Sequence, residues 1–279
     1  SDETLWDIIK RCELTEDEEK RIIDYCRQKN IIFLSTPFSR EACDRLESMD
    51  VQAYKIGSGE CNNLPLIHYV ASKNKPIILS TGMNDMNSIS KTVQIIKSHN
   101  TPLILLHCTS MYPTPYDKVR LGAINDLQDN FPDIPVGFSD HSLGIAASLG
   151  SIALGSCIIE KHFTISRSWP GPDTGISIEP SELKSLIDHS KQIWESRGGS
   201  KNILEEEKPV IDFAYASVVS IKSIKKGEKF SLDNIWVKRP GNGELLSDKF
   251  DKLLGTTAQQ DISLNSQISL KDIDHSIKF

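Results

Sequence analysis

The chain has 279 residues, 38% of them hydrophobic and 25% charged, with a formal net charge of −6. That acidic balance gives no footing for nucleic acid or a membrane surface, and no apolar run approaches the roughly 20 residues needed to span a bilayer. The length suits one large and one small domain, no signal-peptide pattern opens the chain, and six scattered cysteines without a CxxC pair (12, 26, 43, 61, 108, 157) read as reduced, buried thiols of a cytoplasmic protein, not a zinc cluster.

Residues 4–10 and 15–29 are predicted helical, the second opening on Thr15 with Glu18 three residues on, a capping box. Strands then alternate with helices. Strands are expected at 31–37, 54–57, 76–80 and 103–108, with helices at 40–48, 64–72, 87–98 and 123–130 between and after them. Two further strands begin near 134 and 157, separated by a small-residue helix over 143–155, and a last helix spans 180–197 before Gly198-Gly199. This rhythm predicts a parallel sheet with crossover helices.

Every predicted strand ends in polar or small residues, among them Ser35-Thr36, Gly57-Ser58-Gly59-Glu60, Ser80-Thr81 and Ser139-Asp140-His141. An open sheet concentrates its chemistry at one switch point, whereas a barrel draws it from many strand ends, so a (β/α)8-type barrel is expected. Six strands leave it two short. Residues 1–198 also fall below the roughly 250 usual for the fold, so the chain reads as a fragment or part of a split or truncated protein.

After Gly199 a polar linker is expected over 199–213, followed at 214–279 by a small, mostly β domain with strands at 217–221, 235–238 and 268–270. There is no repeat and no low-complexity tract.

His141 and His162 end the last two strands of the barrel region, and two neutral imidazoles at adjacent strand ends could hold one divalent metal ion. A histidine at such a place is also commonly structural. Lys55, with Ser58 between two glycines and hydroxyls at Thr36, Ser80, Thr81, Thr109, Ser110 and Ser139, could bind phosphate or a phosphorylated acid. Ser and Thr equally end strands by satisfying free backbone groups. Glu60 could hold a hydroxyl, pass a proton or cap a helix; Tyr112 precedes a stiff Pro113-Thr-Pro115 segment; Asp173 and Arg239 lie on tight loops. From the residues alone, the expectation stops at a metal-assisted reaction on a phosphorylated small acid.

The ordered words Ser35-Thr-Pro-Phe-Ser39, Tyr54-Lys-Ile-Gly-Ser-Gly-Glu-Cys-Asn-Asn63, Ile77-Ile-Leu-Ser-Thr-Gly-Met83, Leu106-His-Cys-Thr109, Tyr112-Pro-Thr-Pro115, Phe138-Ser-Asp-His141, Glu160-Lys-His-Phe-Thr164 and Gly171-Pro-Asp173 closely resemble the bacterial N-acetylneuraminate (sialic acid) synthase family. Phe213-Ala-Tyr-Ala-Ser-Val-Val219 and Trp236-Val-Lys-Arg-Pro-Gly-Asn-Gly243 resemble its antifreeze-like (SAF) module. The resemblance implies a TIM barrel with two more βα units at its start, and condensation of phosphoenolpyruvate with N-acetylmannosamine. It places Mn²⁺, or alternatively Mg²⁺ or Co²⁺, on His141 and His162. It assigns Lys55, Thr36, Ser58, Ser80, Ser110 and Ser139 to phosphoenolpyruvate, and Glu60, Tyr112 and Asp173 to the sugar side. Arg239, with Phe213 nearby, would reach a partner's barrel in a domain-swapped homodimer.

Ser110 stands where close relatives often carry Asn. The front units would hold an acidic residue and a lysine of the family's site, so the chain alone is expected to be weakly active or inactive. Residues 112–120 and 236–243 favour the sialic acid branch. The alternatives are a legionaminic or pseudaminic acid synthase, or a truncated non-catalytic homologue that dimerises or binds sugar.

Overall fold

Side-chain caps open the first helices. Thr4 accepts from the Asp7 amide ahead of α1 (Leu5–Cys12), and Thr15 and Glu18 form a capping box ahead of α2 (Glu16–Gln28). Ser39, Asn63 and Asp85 cap α3 (Arg40–Ser48), α4 (Leu64–Ala71) and α5 (Met86–Ser98), each satisfying an amide that the helix leaves free. The computed structural model describes residues 4–274, and the chain divides into two units, Ser1–Gly198 and Gly199–Phe279.

In the first unit, β1 (Tyr54–Ile56), β2 (Ile77–Ser80), β3 (Leu103–Cys108), β4 (Val136–Asp140) and β5 (Ile159–Lys161) pair in parallel and in chain order. The crossovers add α6 (Tyr116–Val119), α7 (Gly122–Asn130) and α8 (Ala146–Ala153), and α9 (Pro180–Ser196) follows β5. Successive strand side chains point to opposite faces. Tyr54, Ile56, Leu79, Leu105, Val136 and Phe138 form one apolar cluster with helix residues such as Ile67, Ile96 and Ile124. Lys55, Ser80, Cys108, Ser139 and Glu160 alternate with this set and line the other face.

The sheet is curled. Lys55 lies on β1 and Glu160 on β5, four inter-strand spacings apart, about 19 Å in a flat sheet. Their charged atoms are nevertheless 3.4 Å apart. The five strands are therefore a half-barrel, a partial (β/α) barrel with the polar face inward.

Several expected elements differ. Residues 31–37 form no ladder strand, so the described residues hold five parallel strands in this sheet, not six. The segment runs beside β1, where Ser35 O accepts from Lys55 N at 3.2 Å. Ile31 N is drawn to Cys26 O at 2.9 Å and Pro37 has no amide to give, so neither end of the segment donates to a ladder. The helix expected over 143–155 is shorter, because Ser142 is held by Asp140 and Gly144 takes a left-handed φ of +65°. Cys12 and Cys157 are exposed, not buried; all six thiols are unpaired.

The second unit holds a helix inside the expected linker, α10 (Lys208–Ala214), started by Pro209. β6 (Ser217–Ser220) and β7 (Ile235–Lys238) pair antiparallel, and α11 (Phe250–Leu253) follows. Val218, Phe230, Ile235, Leu253 and Ile268 form its core. The strand expected at 268–270 is reduced to a bridge between Val219 and Gln267 and one bond from Ile268 N to Val218 O at 2.8 Å. Among the described residues, no helix is long and apolar enough to cross a membrane.

Candidate active site at the strand ends

Lys55 is the cation of the inner face. Its ammonium donates to Ser80 Oγ at 2.8 Å and Ile56 O at 3.1 Å, and pairs with Glu160 Oε2 at 3.4 Å. Its side chain is only 12% exposed, so the charge sits where water screens it weakly. Ser139 Oγ donates to the other oxygen of Glu160 at 2.6 Å, the two residues lying opposite each other in the β4–β5 register. Gly137 makes this stretch possible. A Cβ there would fall 2.6 Å from both Ile158 O and Leu106 Cδ2.

A second group gathers around Gly82, just after β2. Gly82 N donates to Ser58 Oγ at 2.9 Å, and Asn84 Nδ2 donates to Ser58 O at 3.0 Å. A Cβ on Gly82 would fall 2.5 Å from Ser110 Oγ and 2.8 Å from Ser58 Oγ, so glycine is what lets these hydroxyls approach. Cys108 Sγ is 3.9 Å from Ser110 Oγ and 3.7 Å from His141 Nδ1. Burial pushes the Cys108 thiol up, but its bond to His141, that ring's charge, and Ser58 and Ser110 outweigh it and hold the thiol below its ordinary value.

His141 and His162 meet at the ends of β4 and β5, their ring centroids 5.2 Å apart. Tyr112 lies against both, 4.2 Å from His141 and 5.7 Å from His162, beside the cis Tyr112–Pro113 bond. His141 Nδ1 is 3.0 Å from Thr109 O, and a carbonyl only accepts, so this nitrogen carries the proton. His162 Nδ1 faces Asp173 Oδ2 at 3.6 Å. Burial pulls both imidazoles down. For His162 burial prevails over Asp173; for His141 the contacts with Cys108 and the Thr109 carbonyl prevail, and it ends above its ordinary value.

The histidines are braced from the outer face by their chain neighbours. Asp140 and Lys161, both almost fully buried, pair at 3.0 Å. Asp140 also accepts from Ser142 N at 2.8 Å, Ser142 Oγ at 2.7 Å and Ser148 Oγ at 2.6 Å, while Lys161 donates to Ser142 O. Burial holds the Lys161 ammonium below its ordinary value against the pull of Asp140. A third histidine is structural: His107 points outward, bonds Val119 O at 2.8 Å and stacks on Phe138.

These donors suit a divalent ion of borderline softness. Each ring has Nδ1 turned to an oxygen, the arrangement that orients imidazole ligands and leaves Nε2 for a metal. Among the described residues no cluster of three or more His, Cys, Asp or Glu is arranged to hold a metal ion. An ion here would take two imidazoles from the chain and its other ligands from water or substrate.

Other expected site residues are less central. Thr36 lies beside Gly57, its methyl 4.0 Å from where a Cβ would sit. Glu60 is turned to the following helix, where Asn63 Nδ2 donates to it at 2.6 Å. Phe213 and Arg239 belong to the second unit and are exposed. Their segments meet there, Gly241 N donating to Asp212 O at 2.9 Å. Motif reading gave no role to Glu160, Cys108 or the Asp140–Lys161 pair. Strand alternation carries the missing signal for Glu160, which shares its face with His162 two residues on.

Comparison with protein families matches residues 1–202 to the NeuB family and residues 215–274 to the SAF domain. An N,N'-diacetyllegionaminic acid synthase of Campylobacter jejuni is 40% identical over 262 residues, 92% of this chain and 78% of that protein. A pseudaminic acid synthase of the same species is 35% identical over 276 residues, 96% and 80% of the two chains. The crystal structure of N-acetylneuraminic acid (sialic acid) synthetase from Leptospira borgpetersenii, in complex with citrate, superposes with a TM-score of 0.71 at 34% identity, covering 74% of this chain and 72% of that one.

Proposed function

The chain belongs to the NeuB family of nonulosonic acid synthases, and we propose that it joins phosphoenolpyruvate to N-acetylmannosamine, giving N-acetylneuraminate and inorganic phosphate. The observation that carries this reading is the convergence of Lys55, Ser80 and Ser139 with the His141–His162 pair on one inner face. Lys55 and Ser139 would take the anionic groups of phosphoenolpyruvate, with Thr36, Ser58 and Ser110 as further hydroxyls. Ser80, bonded to the Lys55 ammonium, fixes where that charge points.

His141 and His162 would hold the divalent ion, Mn²⁺ in first place, which when bound supplies Lewis acidity toward the acceptor's open-chain aldehyde. C3 of phosphoenolpyruvate attacks the aldehyde carbon, water adds at C2, and the C–O bond to phosphate breaks. Tyr112 and Asp173 border the histidines on the side left for the sugar. Glu60 would have to leave Asn63, its partner in this structure, to serve the acceptor side. In a domain-swapped homodimer, Arg239 with Phe213 would serve the second copy's site and meet the N-acetyl group.

The test is equilibrium binding of phosphoenolpyruvate by the chain. Saturable binding weakened at least 30-fold in Lys55→Met is expected; its absence in the unaltered protein would sink the reading. Mn²⁺ binding, lost in His141→Ala and His162→Ala, tests the histidines separately. The 40% identity to the diacetyllegionaminate enzyme favours a second reading, in which the acceptor is a diacetamido hexose. Side-by-side turnover of the two sugars decides between them, by mass of the product.

A further inference from the structure

The Lys55 ammonium has three N–H donors; Ile56 O and Ser80 Oγ take two, and Glu160 pairs with the charge at 3.4 Å on its remaining side. Ser139 has one, and it points at Glu160. An incoming anion therefore meets the Glu160 carboxylate beside the ammonium and finds the Ser139 hydroxyl already donated to it. Of the groups in its way, Ile56 O is backbone and Ser80 is buried at 2% exposure, so neither can readily leave. Glu160 is different. Its side chain is 42% exposed, it holds both donors at once, and it carries the same charge as the ligand.

We propose that Glu160 is an internal counter-anion: it holds Lys55 and Ser139 in place while the site is empty, and must be displaced from both when a phosphorylated carboxylic acid binds. It is a positioning residue, acting through Lys55 and Ser139. This rests on the assignment of phosphoenolpyruvate to those two residues. The carboxylate keeps the lysine from folding back onto other oxygens, and it weakens anion binding by occupying its donors and by repulsion.

The experiment measures dissociation constants for phosphoenolpyruvate, and separately for inorganic phosphate, at one fixed ionic strength. Glu160→Gln, which removes the charge and keeps the shape, should bind both anions more tightly, on the order of fivefold; the gain is held down by solvent screening at so exposed a carboxylate. Glu160→Ala gives the same comparison should the Gln variant fold poorly. Glu160→Asp keeps the charge and should stay within about twofold of the unaltered protein. Unchanged or weaker binding in Glu160→Gln and Glu160→Ala would overturn the proposal, as would equal tightening in Glu160→Asp. If the unaltered chain binds no phosphoenolpyruvate, it is the assigned function that fails. If it binds, and Lys55→Met weakens binding while neutral residues at 160 do not tighten it, only this inference fails.

Discussion

The two faces of the same five strands differ in chemistry, the inner one mixing polar groups with Ile78 and Leu106. Outward, Tyr54, Ile56, Leu79, Leu105 and Phe138 are sealed against helices in one apolar cluster. Inward, one residue along, come Lys55, Ser80, Cys108, Ser139 and Glu160. A step of one residue along a strand therefore moves from stability to recognition. Besides His107, Asp140 and Lys161 break the pattern, a charged pair on the apolar side directly beside the two histidines.

That contrast can be broken at four points. Lys161→Met should cost most, about 3–5 kcal/mol in urea unfolding, because it leaves the buried Asp140 carboxyl without its cation. A midpoint unchanged from the parent would show that the hydroxyls of Ser142 and Ser148 suffice. Leu105→Ala, on the fully buried outer face, should lose about 3 kcal/mol of stability while phosphoenolpyruvate affinity stays within about twofold. Loss of affinity with stability intact would contradict the division of faces.

Lys55→Met should do the reverse. Binding should fall by about 2 kcal/mol, with the melting temperature nearly unmoved, since charge-assisted donors contribute on that scale. Ser139→Ala is the mildest, about 1 kcal/mol in anion binding and less in unfolding. Calorimetric titration beside a thermal melt separates the two readouts; a larger shift in the melt than in binding would make Ser139 structural.

Much of the half-barrel was legible in the sequence because apolar runs that stop on polar residues mark strand ends, and Thr15 with Glu18 announces a helix start. The stretch 31–37 has the composition of a strand, but pairing is decided by amide geometry, and the draw of Cys26 O on Ile31 N is invisible to composition. His141 and His162 could be singled out from their positions at adjacent strand ends. Glu160 could not be ranked above Glu60, because a linear reading does not say which carboxylate faces Lys55 across the sheet. The cap that Asn63 provides explains why Glu60 turns the other way: Asn63 Oδ1 binds the helix amide while its Nδ2 binds Glu60.

The contact between Lys55 and Glu160 has a mechanical side. It ties the first strand to the last while bypassing the three between, so it acts as a strut across the bore of the half-barrel. The strut is also the part that a bound anion would cut. If an anion displaces Glu160 as proposed, this cross-bore contact is released, and the amides of β1 and β5, which border it, are where altered hydrogen exchange would report the release.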